Sequence, residues 1–178
     1  MSKLPPPEVP GFVLHPVSPA DAAEWAEFAA LPQVQQHTSS AISRAADLLP
    51  MIERSQSEDE NAPVLFVVRQ AATHQLVATV GFHTISSLNR TAEITYVVRP
   101  EHWGQGLATR LCDAAVQWGF DARGWVRVQA TVLEANRPSI RVLQKCRFAY
   151  EGRLRNFRLV RGKPSDYLLY ARVPEAAP

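Results

Sequence analysis

The strand-like run Glu93-Ile94-Thr95-Tyr96-Val97-Val98 passes through Pro100-Glu101-His102-Trp103 into Gly104-Gln105-Gly106, and a helical pattern opens at Leu107-Ala108-Thr109. No other stretch constrains the fold as tightly. The first N–H groups of a helix have no partner within it, and the helix dipole adds positive potential at the same end. A glycine turn there lets backbone approach a phosphate or pyrophosphate without side-chain obstruction. The same turn also suits a bare strand-to-helix connection, so other residues must decide. Two nucleotide-binding patterns are excluded. No Gly-Lys-Ser/Thr follows, and Thr109 stands where the third glycine of a dinucleotide fingerprint would fall.

The deciding residues lie downstream. A second apolar run, Val126 to Val132, leads into Glu134-Ala135-Asn136-Arg137-Pro138-Ser139 and a helix carrying Ile140, Arg141, Leu143 and Lys145. Together with the glycine turn and Tyr150-Glu151-Gly152-Arg153-Leu154-Arg155, this segment resembles the GNAT N-acetyltransferases, and among them the RimJ/RimL-like branch. The resemblance extends from Phe12 to Val173. It implies an α+β domain with a mixed, mostly antiparallel central sheet and helices on both faces. Its two central strands should splay to admit the pantetheine arm of acetyl-CoA. The implied reaction moves an acetyl group from acetyl-CoA to a primary amine, with no metal.

The resemblance also implies roles for residues. Backbone N–H groups of Val97 and Val98 would face the acetyl carbonyl and pantetheine. Those of Gly104, Gln105, Gly106, Leu107, Ala108 and Thr109 would hold the pyrophosphate. Asn136 would meet the pantetheine near sulfur, and Ser139 would lie beside the leaving thiolate. Leu143 stands where many members carry a tyrosine acid, which leaves Ser139 as the local candidate. Asn136 and Ser139 also read simply as the cap and first turn of a helix. Glu93 is the candidate base, holding a water near the amine, and equally reads as a surface glutamate at a strand start. A bulge near Val97 would change which way it faces. His83 is a second candidate base. Arg141 and Lys145, four apart on one helix face, could meet the cofactor's 3′-phosphate or form a solvated basic face. Arg147 replaces the glycine usual in this family, so this helix is expected to end without a left-handed glycine cap.

The acceptor follows from amine chemistry and from the branch. An α-amine has a pKa of roughly 7.7–8.0 and a lysine about 10.4, so only the former is substantially neutral at physiological pH. A protein N-terminal amine is the leading acceptor by resemblance. A small amine such as an amino acid, polyamine or aminoglycoside is the alternative, and a non-catalytic acyl-CoA sensor is a reading of another class. Neither Cys112 nor Cys146 shows evident activation by a histidine or a cluster of positive charge, so transfer without an acetyl-enzyme is expected.

Composition narrows the setting. Of 178 residues, 46% are hydrophobic and 20% charged, as in a globular domain, and a net charge of only +2 gives no general polyanion-binding signal. The basic group Arg153, Arg155, Arg158 and Arg161 could still attract an acidic peptide or RNA. No apolar run approaches membrane-span length, and a cytoplasmic protein without a disulfide framework is expected. A homodimer is possible by analogy with the branch. Residues 1–11 are proline-rich and expected to be flexible, 12–173 to form one domain, and 174–178 a tail.

Helical periodicity places a helix after the Ser18-Pro19 start, burying Ala22, Trp25, Ala26 and Ala29, and a second over Ser43 to Ser57. Strands are expected at Phe12 to Val17, Val64 to Gln70, Gln75 to Ile85, Tyr150 to Leu159 and Ser165 to Val173. The acceptor half is expected from loops at Pro32–Ser43, Ser86–Asn89 and Arg158–Pro164.

Overall fold

The computed structural model describes residues 5–39 and 41–175. Strand β1 (Phe12–Pro16) is followed by a tight turn at Pro19–Asp21, helix α1 (Ala22–Ala29) and the short α2 (Pro32–Gln35). A second tight turn, Ala45–Asp47, leads into α3 (Leu49–Ser55), then β2 (Val64–Gln70), β3 (Leu76–Ser86) and β4 (Thr91–Val98). After a turn at Pro100–His102 come α4 (Leu107–Arg123), β5 (Arg127–Leu133), α5 (Arg137–Lys145), β6 (Ala149–Val160) and β7 (Lys163–Arg172).

The seven strands form one sheet in the order β1-β2-β3-β4-β5-β7-β6, with every pairing antiparallel except β4 with β5. Val64-Leu65-Phe66-Val67-Val68 has no polar alternation because both sheet faces are covered. Phe66 and Val68 pack with Leu107, Leu111 and Val116 of α4, while Leu65 and Val67 pack with Trp25, Phe28 and Ile52 on the opposite side. Both faces therefore carry helices, as expected.

Local chemistry explains the element boundaries. The backbone N–H and hydroxyl of Ser18 both donate to the Asp21 carboxylate, at 2.9 and 2.7 Å, fixing the entry to α1. All four residues expected on the buried face of that helix are buried. The helix expected over Ser43 to Ser57 is shorter, because Asp47 captures the N–H and hydroxyl of Ser43 at 2.8 Å each. Such side-chain capture competes with helical hydrogen bonding, and α3 starts only beyond it. Residues 5–10, expected to be loose, lie against α4: Val9 is buried and Trp118 Nε1 donates to Pro5 O at 2.7 Å. Residues 1–4 and 176–178 of the two expected flexible ends lie outside the described residues.

Two features position the site. Strands β4 and β5 pair only at Thr91↔Arg127, Ala92↔Val128 and Glu93↔Gln129, and then part. On the other side of β4, Phe82 faces Ile94 and Thr84 faces Glu93, which leaves His83 as an extra residue. This bulge lies on β3 rather than near Val97, and it re-aims the side chains around it. Helix α5 ends with Arg147 at φ 61, its N–H donating to Gln144 O and that of Phe148 to Leu143 O, at 3.1 and 3.0 Å. As expected, no glycine caps the helix; arginine itself takes the strained left-handed position.

Candidate active site

The parting of β4 and β5 opens two cavities that meet at their common wall. One, of ≈ 400 Å³, runs from Trp103 and the glycine turn along α5 to Lys145. The other, of ≈ 280 Å³, lies between α1, α3 and the β6–β7 hairpin. Seven residues line both: Tyr96, Val97, Asn136 and Ser139, with Val34, His37 and Thr38 from the segment around α2. A group bound in one cavity can therefore meet a group bound in the other along this shared wall.

The glycine turn borders the first cavity. Gly104 and Gly106 take φ 74 and 76, and a Cβ built at either meets nothing within 4 Å. The glycines are thus required by backbone conformation, and the space in front of the turn is open. Arg110 N–H donates to Gly106 O at 3.1 Å, opening the helical ladder and leaving the N–H groups of Leu107, Ala108 and Thr109 without helical partners. Gln105 turns its side chain back, Nε2 donating to Glu101 O at 2.9 Å. Lys145 and Arg141 line the same cavity from α5, on the face expected to meet a phosphate. Trp103 packs beside the turn with Nε1 donating to Val98 O at 2.7 Å.

Val97 and Val98 cannot both turn their amides to the gap. An antiparallel ladder alternates, and Arg99 N–H donates to Val77 O at 2.8 Å. That register commits Val97 to β3 and leaves the amides of Val98 and Tyr96 facing the side where β5 has withdrawn. Val97 contributes its side chain to the cavity wall instead.

At the junction, Asn136 Oδ1 accepts Ser139 N–H at 3.1 Å, so Asn136 caps α5. Its Nδ2 donates to His37 O at 3.3 Å and ties α5 to the segment after α2. The Ser139 hydroxyl stands 2.8 Å from that of Tyr96. Burial, and the neighbouring Cys112, push the Tyr96 phenol well above its ordinary pKa, so it keeps its proton. The sequence reading passed over Tyr96, although its place two residues before Val98 on an alternating strand was available as a signal.

Glu93 is buried beneath the second cavity. Its Oε1 accepts from Thr131 Oγ1 at 2.5 Å and from an Arg158 guanidinium nitrogen at 3.1 Å, and Oε2 accepts from Gln129 Nε2 at 3.4 Å. Burial raises its pKa, but His83, Thr131 and Arg158 more than reverse this and hold the carboxyl at about 2. A carboxylate so stabilised has little drive to take a proton from an ammonium. His83 Nε2 lies 3.4 Å from Glu93 Oε1, an ion-pair distance without hydrogen-bond alignment, and both ring nitrogens are buried without a hydrogen-bond partner. His83 lines the second cavity.

The walls of that cavity differ from expectation. The Pro32–Ser43 segment contributes Val34, His37 and Ile42, and the last expected loop contributes Arg158. The Ser86–Asn89 turn is absent from the lining, whereas Trp25, Leu48 and Met51 come from the helical layer. Nor is the basic group a free cluster, since three of its four arginines are engaged. Arg153 pairs with Asp166 at 2.6 Å, Arg158 with Glu93, and Arg161 donates to Gln35 O. Cys112 and Cys146 are both free and buried.

Comparison with known proteins agrees with this geometry. Residues 12–149 match the model of the acetyltransferase (GNAT) domain. The chain is 36% identical over 114 residues to an uncharacterized N-acetyltransferase, YoaA, of Bacillus subtilis, the alignment covering 64% of each chain. It is 28% identical to a spermidine N(1)-acetyltransferase of Vibrio cholerae, over 60% of this chain and 61% of that one. It thus spans just under two thirds of the length of these two relatives. Mycobacterium smegmatis RimJ, solved with CoA-disulfide, superposes with a TM-score of 0.81 at 25% identity, covering 94% of this chain and 85% of that chain. With the family model matched from the first strand to the start of β6 and the splayed sheet in place, the chain belongs to the GNAT acetyltransferase family, in its RimJ/RimL-like branch.

Proposed function

We propose that this protein transfers an acetyl group from acetyl-CoA directly to a protein or peptide N-terminal α-amine. One observation carries the reading: the cavity bordered by the glycine turn and the cavity beneath α1 and α3 join at Tyr96, Val97, Asn136 and Ser139. Acetyl-CoA supplies the acetyl group already activated as a thioester. The residues that would hold it are the turn Gly104 to Thr109 for the pyrophosphate, Lys145 and Arg141 for phosphate, and the amides of Val98 and Tyr96 for the pantetheine arm and acetyl oxygen. Backbone donors already aimed at developing negative charge lower the barrier without reorganising.

Ser139 is the donor to the departing sulfur, with Tyr96 orienting its hydroxyl. His83, rather than Glu93, removes the proton from the incoming ammonium, because its ring nitrogens lack a hydrogen-bond partner beside the cavity while the Glu93 carboxylate is held by Thr131 and Arg158. Glu93 then serves as the buried anion that steadies His83 and Arg158.

A polyamine acceptor is the second reading, favoured by the similarity to the spermidine acetyltransferase. Calorimetry with acetyl-CoA tests the cofactor assignment, and release of free thiol from acetyl-CoA tests transfer. Turnover confined to peptides with a free N-terminus supports the first reading. Turnover of spermidine with no activity on peptides rejects it, and binding without any thiol release leaves only a sensor.

A further inference from the structure

The second cavity carries no carboxylate that an extra ammonium could use. Among the described residues lining it, Arg158 is the one permanently charged side chain, and none is Asp or Glu. The nearest carboxylate, Glu93, already faces Arg158, His83 and Thr131. Asp166 of the hairpin and Glu134 of the β5–α5 connection both face Arg153, at 2.6 and 3.4 Å. A polyamine bound here would bring several positive charges into a space without a counter-ion, and burying an unpaired charge is strongly unfavourable.

What the cavity does offer is the opposite chemistry. The Tyr167 hydroxyl is buried without a hydrogen-bond partner, on a residue only 4% exposed. Buried polar groups are almost always paired, so an unpaired one lining a cavity leaves a hydrogen-bonding position that a ligand atom could fill. Beside it, Arg158 stacks 5.5 Å above the Tyr167 ring and commits one nitrogen to Glu93, and a guanidinium has further donors to offer. Trp25, Ile42, Leu48 and Met51 supply an apolar wall.

Resting on the acetyltransferase reading above, we propose that the acceptor is an α-amino compound with one amine, an uncharged apolar side chain and an adjacent carbonyl or carboxylate oxygen. The side chain sits against Trp25, Leu48 and Met51. The oxygen takes hydrogen bonds from Tyr167 and Arg158, which turns the amine toward His83 and the Ser139 junction. Tyr167 and Arg158 thus determine specificity, and polyamines are excluded by charge.

The test measures thiol release with Leu-, Met-, Asp- and Lys-initiated dipeptide amides and with spermidine. Leucyl and methionyl acceptors should exceed spermidine and the aspartyl dipeptide at least 100-fold in kcat/KM. Tyr167→Phe should raise the KM for the leucyl acceptor about tenfold while leaving the KM for acetyl-CoA unchanged, a split that a general folding defect does not produce. Met51→Glu supplies the missing anion and should improve spermidine relative to the leucyl acceptor at least tenfold. Wild-type preference for spermidine or a charged N-terminus overturns the proposal while leaving the acetyltransferase reading intact. So does an unchanged leucyl KM in Tyr167→Phe. Absence of thiol release with every acceptor overturns both.

Discussion

The hydroxyl of Tyr96 lies 2.8 Å from that of Ser139, across the point where β4 and α5 approach each other. Since burial keeps the phenol protonated, Tyr96 can donate to Ser139 Oγ and leave the serine's own proton free for a departing thiolate. This arrangement stands where Leu143 leaves the family's usual tyrosine position apolar. Tyr96→Phe should lower kcat about tenfold, or about 1.4 kcal/mol, the worth of one oriented hydrogen bond. Ser139→Ala should lower kcat further, and the double variant no more than Ser139→Ala alone. Steady-state kinetics should show the KM for acetyl-CoA within twofold in all three.

Glu93 links acid stability to activity. Its carboxyl is held at about 2 in the fold, below the 4.5 of an ordinary glutamate. Its contribution is therefore complete above about pH 4.5 and lost as the pH falls toward 2. Glu93→Gln leaves Arg158 without its buried partner and should cost about 3 kcal/mol at pH 7, measured by urea unfolding. The gap between wild type and variant should close as the pH approaches 2.

The same substitution separates the two candidate bases. With His83 as the base, Glu93→Gln leaves the proton acceptor 3.4 Å away in place and should lower kcat by no more than about tenfold. If Glu93 were itself the base, kcat would collapse instead. His83→Gln should lower kcat about 100-fold.

Gly106→Ala tests the turn. At φ 76 an alanine costs about 1 kcal/mol of stability, and the open space around the glycine means that no neighbour must move. Gly106 lines the first cavity, so the added methyl group tests whether the turn must stay bare for the cofactor. Calorimetry should show acetyl-CoA binding weakened by more than tenfold, well beyond the loss in stability.

Arg147→Gly should stabilise the protein. Arginine holds φ 61 at the end of α5, and its ion pair with Glu175 joins two largely exposed side chains, which contributes little. Relief of the left-handed strain should add about 0.5–1 kcal/mol and raise Tm by roughly 2–4 °C in a scanning calorimeter.

The sequence alone determined the parts whose physics is local. Gly104-Gln105-Gly106 before Leu107 specifies a phosphate-shaped turn because only backbone conformation and a helix start are needed. Asn136 caps α5 for the same reason, and the apolar run of β2 announces a strand covered on both faces. The tertiary structure decided what depends on pairing partners distant along the chain. Glu93 becomes a locked anion only because Thr131 and Arg158 arrive from β5 and β6, 38 and 65 residues later. Tyr96 meets Ser139 because β5 withdraws from β4, and Tyr167 lacks a partner because of how the β6–β7 hairpin seats on the cavity. Helical and strand periods fix which face a residue occupies; they carry no information about which other element will cover that face.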